Sequence, residues 1–112
     1  MDKDKAAILQ GTLDLLVLKT VETMGPLHGW AIAKRIEQVS EDLLEMKYGT
    51  LYPAVMRLEQ SGWISSQWGI SDNNRRARFY SITKQGRKQL ALEEKGWGQM
   101  AAFITRLLRS TR

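Results

Sequence analysis

Between Tyr48 and Ile64 the residues Leu51, Val55 and Leu58 fall at i, i+4 and i+7, making one narrow apolar stripe along a short helix. At about 100° per residue the far side of that helix carries Thr50, Pro53, Arg57 and Gln60. Gly62 stands where a C′ glycine closes a helix, and Trp63-Ile64 begins an extended run. The helix therefore buries one stripe and presents one cation with several small or polar groups. That shape suits a DNA major groove, where Thr, Gln and Arg hydrogen-bond base edges or phosphates. Any amphipathic helix has a polar face, so the flanking segments must decide.

Residues 1–10 read as a short helix or an arm. Gly11-Thr12 marks a helix start, with Thr12 as N-cap and Asp14 in the first turn. Leu13, Leu16, Val17, Val21 and Met24 then form an apolar face, which ends at the breaker pair Gly25-Pro26. A second helix runs from Gly29 to about Val39, with Ile32, Ile36 and Val39 on one side. Ser40 to Met46 is an acidic connection whose Leu43, Leu44 and Met46 tuck back against the core. The start of the third helix stays open: Pro53 fits best in a first turn, yet Leu51 already belongs to the stripe.

Trp63 to Trp68 is rich in β-formers, as are Phe79, Tyr80, Ile82 and Thr83. The turn-rich, basic-ended Gly69 to Arg76 between them predicts a hairpin with a long mobile tip. Three helices followed by a hairpin is the order of a winged helix-turn-helix. Thr83 caps a last helix reaching about Arg109. On it Leu90, Trp97 and Ile104 recur every seven residues, with Met100 and Leu107 at the complementary spacing and Glu93 interrupting that second series. Such a seam packs against another chain, or folds back on its own domain; no other apolar partner is left over, which favours a dimer. The expected fold class is mainly α (α+β). A winged helix-turn-helix spans residues 1–83 and a C-terminal dimerisation helix spans 84–112, together one compact unit.

The 112-residue chain is one domain by size and carries a net charge of +5, which favours an anionic partner. Distribution says more than the total. From Asn73 to Leu92 there are six cations and no acid, whereas Glu41, Asp42 and Glu45 form an acidic patch. Without cysteine there is neither a disulfide framework nor a thiolate metal site. The N-terminus has no signal-like pattern, and no apolar run nears the ~18 residues that span a bilayer, so a cytoplasmic protein free of the membrane is expected. One histidine and no paired carboxylates argue against an enzyme; no catalytic, metal or cofactor site is expected. His28 reads as a capping or surface residue. Arg106, Arg109 and Arg112 suit a helix C-terminus better than a membrane surface. The competing function is a winged-helix adaptor that binds a protein, against which the basic wing speaks.

With these elements in place the sequence resembles the PadR family of bacterial transcriptional regulators over nearly its whole length. The resemblance is carried by Gly49-Thr50-Leu51-Tyr52-Pro53 with Arg57-Leu58-Glu59, by Gly62-Trp63-Ile64, and by Leu27-His28-Gly29-Trp30-Ala31-Ile32. It extends through Arg75-Arg76-Ala77-Arg78-Phe79-Tyr80-Ser81-Ile82-Thr83-Lys84-Gln85-Gly86. Gln10 to Leu16 and the single terminal helix look like the family's compact subgroup. The resemblance implies a dimeric regulator, usually a repressor, on a palindromic double-stranded operator, released by an effector in some members. Two departures stand out. Trp30 replaces a common Tyr, and Ser71, Asp72, Asn73 and Asn74 dilute the usual basic wing tip.

Phosphate neutralisation then falls to Arg75, Arg76 and Arg78, helped by Lys34 and Arg35, with Trp30 an indole donor beside them. Thr50, Tyr52 and Arg57 are the candidate base readers, although Tyr52 could equally pack with its hydroxyl at the rim. The dimer interface would use Leu90, Trp97, Met100, Ile104 and Leu107. Trp97 lies between Gly96 and Gly98, each costing a helix interior about 1 kcal/mol relative to Ala. Space beside the indole would admit a close partner helix or a planar aromatic small molecule. Multidrug-responsive relatives sandwich such molecules at the corresponding place.

Overall fold

A computed structural model of the chain describes residues 12–110. In chain order its elements are α1 (Leu13–Met24), β1 (Leu27–His28), α2 (Gly29–Val39), α3 (Tyr48–Gln60), β2 (Ile64–Ile70), β3 (Arg76–Ile82) and α4 (Lys84–Arg109). The arm or helix expected over residues 1–10, and Arg112, lie outside the described residues. The fold is a mostly helical winged helix-turn-helix with a small antiparallel sheet, ordered β1-β3-β2. β1 was not expected. Its two residues are too few to show a period, and they exist as a strand only because Leu27 and His28 pair with Tyr80 and Phe79.

Local chemistry sets most helix ends. Thr12 precedes α1, and Asp14 sits in its first turn. His28 caps α2, its Nδ1 accepting the Ala31 N–H at 3.3 Å. At the end of α3 the Trp63 N–H donates to the Leu58 carbonyl and the Gly62 N–H to that of Glu59, both at 3.0 Å. This is a Schellman closure, and it needs the positive φ of +79° that Gly62 adopts. The Thr83 hydroxyl donates to the Gly62 carbonyl at 2.6 Å and accepts the Gly86 N–H at 3.0 Å, so one side chain joins the end of α3 to the start of α4. Gly86 is compulsory: a Cβ there would lie 1.9 Å from the Trp63 carbonyl oxygen.

The core gathers Leu13, Val17, Leu18 and Val21 from α1, Ile32 and Ile36 from α2, and Leu51, Ala54, Val55 and Leu58 from α3. Ile64, Tyr80 and Leu90 close it from the wing and α4. Several expectations shift by a residue's turn. On α1 Leu18 is buried while Met24 is exposed, and on α2 Ala33 is buried while Val39 is 67% exposed. In the acidic connection only Met46 is fully buried, its N–H donating to Glu37 Oε2 at 2.7 Å. Leu43 is instead 70% exposed, because left-handed Glu41 and Asp42 turn the chain away first. Pro53 falls in the second turn of α3, not the first. It withholds the donor that would meet the Gly49 carbonyl, on the exposed side of the helix.

The wing is longer and its tip tighter than the sequence predicts. Register is unbroken from Ile64↔Ile82 to Ile70↔Arg76. The remaining Ser71 to Arg75 is a closed turn in which the Ser71 N–H donates to the Arg75 carbonyl at 2.8 Å and Asn74 takes a φ of +60°. Asn tolerates that conformation.

Candidate nucleic-acid interface

Ala54 joins Leu51, Val55 and Leu58 in the buried stripe of α3, and this fourth member rotates the exposed face. Gly49, Pro53, Met56 and Gln60 point outward. Tyr48, Tyr52 and Glu59 occupy the flank toward the wing, where the rings of Tyr48 and Tyr52 stack at 5.1 Å. Thr50 and Arg57 occupy the opposite flank, toward α1. Arg57 Nη2 donates to Asp14 Oδ1 at 2.7 Å, which holds this still exposed side chain on the α1 flank and off the centre of the outward face. Thr50 on the same flank is half-buried.

Wing and α3 border a cleft of about 390 Å³ lined by Trp30, Tyr48, Tyr52, Trp68, Arg78 and Tyr80 among others. Three cations are parked on its tryptophans: Lys34 lies 5.5 Å from the Trp30 ring, and Arg76 and Arg78 lie 4.5 and 5.3 Å from the Trp68 ring. His28 meets Phe79 edge-on at 5.4 Å, bracing the start of α2 against the sheet. Burial, followed by the neighbouring Tyr52, raises the Tyr48 pKa. Burial, followed by Glu59, raises that of Tyr80.

The structure thus brings Trp30, Lys34, Tyr52, Arg76 and Arg78 to the cleft between wing and α3, leaves Arg75 exposed at the wing turn, and takes Arg35, Thr50 and Arg57 elsewhere. Arg35, one step beyond Lys34, turns about 100° away. It lines a groove of about 440 Å³ with Leu15, Leu16, Val39 and Glu94. Arg57 is held by Asp14, as above. Arg78 folds onto the wing base, donating from Nε and Nη2 to Ser66 Oγ at 3.0 and 2.7 Å, with Nη2 3.6 Å from Glu59 Oε2. The sequence also missed contributors. Tyr48 carried a signal, lying four residues before Tyr52 on one helical flank. Trp68 carried none until β3 was paired with β2, which sets it opposite Arg78.

At the other end, Leu90 is 2% exposed and belongs to the chain's own core, so it has no surface to offer a partner chain. Trp97, Met100, Ile104 and Leu107 remain exposed, together with Phe103 and Leu108. Among the described residues, no Cβ at Gly96 or Gly98 would meet an atom of another part of the chain within 4 Å. Among the described residues no group of three His, Cys, Asp or Glu could hold a metal ion, and no helix is long and apolar enough to cross a membrane.

Residues 17–92 match the model of the transcriptional regulator PadR-like family. The chain belongs to that family. It is a DNA-binding transcriptional regulator and not an enzyme. Among solved structures, a transcriptional regulator from Clostridium thermocellum is 28% identical, with a TM-score of 0.82 over 92% of this chain and 99% of that one. A PadR family transcriptional regulator from Eggerthella lenta is 27% identical, with a TM-score of 0.76 over 94% of this chain and 88% of its own. An uncharacterized protein of Lysinibacillus sphaericus is 28% identical over 101 residues, which is 89% of this chain and 91% of the relative. Stacking on the aromatic rings holds each guanidinium or ammonium at a defined place.

Proposed function

We propose that this PadR-like regulator is a cytoplasmic homodimer that represses by occupying a palindromic operator, and that a planar aromatic effector can enter beside Trp97 and release it. The observation that carries the dimer is the bare distal half of α4. Trp97, Met100, Phe103, Ile104, Leu107 and Leu108 are all exposed in the single chain, and clustered exposed apolar side chains of this kind mark an interaction surface. The groove lined by Leu15, Leu16, Ile36, Val39 and Leu44 is a complementary apolar seat. The adjoining acids Glu41, Asp42 and Glu45 match Arg106 and Arg109 at the tip of a partner's α4. Repression is the usual mode of the regulators that the sequence resembles.

A twofold dimer sets its two α3 helices about 34 Å apart, one DNA turn, which is why the operator should be palindromic. Arg75, Arg76 and Lys34 would neutralise phosphates, while Tyr52, Met56 and Gln60 face the groove floor. Replacing Arg75 and Arg76 together by Gln should make the slope of log K against log salt shallower by roughly 3 to 4, since four phosphate contacts per dimer are lost. An unchanged slope removes the wing from the interface. For the effector, a planar aromatic cation should quench tryptophan fluorescence in the native chain and much less in Trp97→Ala. Equal quenching in both would place the ligand elsewhere.

A further inference from the structure

We propose that Glu59 is a positioning residue that fixes the angle of the wing against the reading helix α3, acting through Ser66 and Arg78. The role builds on the DNA-binding face described above. Glu59 lies in the last turn of α3, and its Oε2 accepts the Ser66 hydroxyl at 2.6 Å. Ser66 on β2 in turn accepts both Arg78 donors from β3, and Arg78 Nη2 approaches the same Glu59 oxygen. One carboxylate thus ties a helix to both strands of the wing.

Leverage makes this contact matter. β1 braces the sheet only at Phe79 and Tyr80, and beyond the clamp Trp68, Ile70 and Arg76 are exposed. From Ser66 to the turn at Ser71 the strand extends roughly 17 Å, so a pivot of about 10° moves the tip by roughly 3 Å. A shift of that size is enough to break a hydrogen bond between a wing arginine and its phosphate. Loss of the clamp would let Arg75 and Arg76 drift from the phosphates that flank the bases under α3.

The charge of Glu59 supplies the discriminating test. A carboxylate on a DNA-facing surface repels phosphate. As a bystander, its removal strengthens all DNA binding; as the wing's anchor, its removal weakens binding to the correct sequence. Full-length Glu59→Ala and Glu59→Gln, checked for folding by thermal unfolding, would be titrated with two duplex probes about three turns long: a random-sequence pool, and the duplex that the unaltered protein enriches from it. Hydrogen exchange of the wing amides would be followed without DNA. Glu59→Ala should bind the enriched duplex about tenfold more weakly, bind the pool no more weakly than the unaltered protein, and exchange its wing amides faster. Glu59→Gln still accepts from Ser66 and should stay within about threefold on the enriched duplex. Undiminished binding of that duplex by Glu59→Ala, an equal loss in Glu59→Gln, or unchanged wing exchange would each overturn the positioning role. If the unaltered protein enriches no duplex, the reading of this face fails as well, whereas the exchange result judges the clamp alone.

Discussion

The first ten residues of α4 and the last sixteen share one apolar period and meet opposite fates. Near its start, Gly86 lies against the backbone of Trp63 and Leu90 sits in the core. From Glu94 onward every described residue is exposed, although Trp97, Met100, Ile104 and Leu107 continue the same face. A helical period specifies which side of a helix is to be buried; it does not specify by what. α1 supplies the partner for the first part, with Lys19 reaching Glu94 at 3.8 Å where that packing ends. Beyond it the helix extends for roughly 22 Å with nothing among the described residues beside it.

The largest consequence belongs to the buried half. Leu90→Ala opens a cavity in the single chain's core and should cost about 2–5 kcal/mol of folding stability, measured by denaturant unfolding at any protein concentration. A cost that vanished on dilution would mean that Leu90 serves the interface after all. In the bare half the sign of concentration dependence reverses. Ile104→Asp should leave each chain folded while weakening self-association on the order of a hundredfold, seen by sedimentation velocity, because a twofold interface buries the new charge twice. An unshifted monomer–dimer equilibrium would remove the seam from the interface. Smallest are the glycines. With nothing among the described residues near either position, Gly96→Ala and Gly98→Ala should each stabilise the monomer's helix by about 1 kcal/mol while loosening the dimer. Stabilisation of both states alike would show that no partner needs the space.

The same distinction explains what could be seen in the sequence. Thr83, His28 and Gly62 were legible because a cap or a C′ glycine acts on backbone two to five residues away. The order of elements was legible because each carries its own period or turn chemistry. The partners of Arg57 and Arg78 were not, since Asp14 lies 43 positions from Arg57 and Ser66 lies 12 from Arg78, and only the tertiary fold makes them neighbours. Arg35 and Leu90 were misplaced for a related reason. A face about 100° wide is easily misassigned by one residue, and a buried heptad position looks the same in sequence as an exposed one. Trp68 gained its cationic neighbours only when strand register set it opposite Arg78, with Arg76 reaching the same ring.

What most directly decides whether a paired regulator sets two α3 helices on DNA is selection of bound sites from random duplexes by the full-length protein, read out as a sequence motif. Two inverted half-sites centred about one helical turn apart are expected. A single unrepeated half-site, or no enrichment even at low ionic strength, would contradict it.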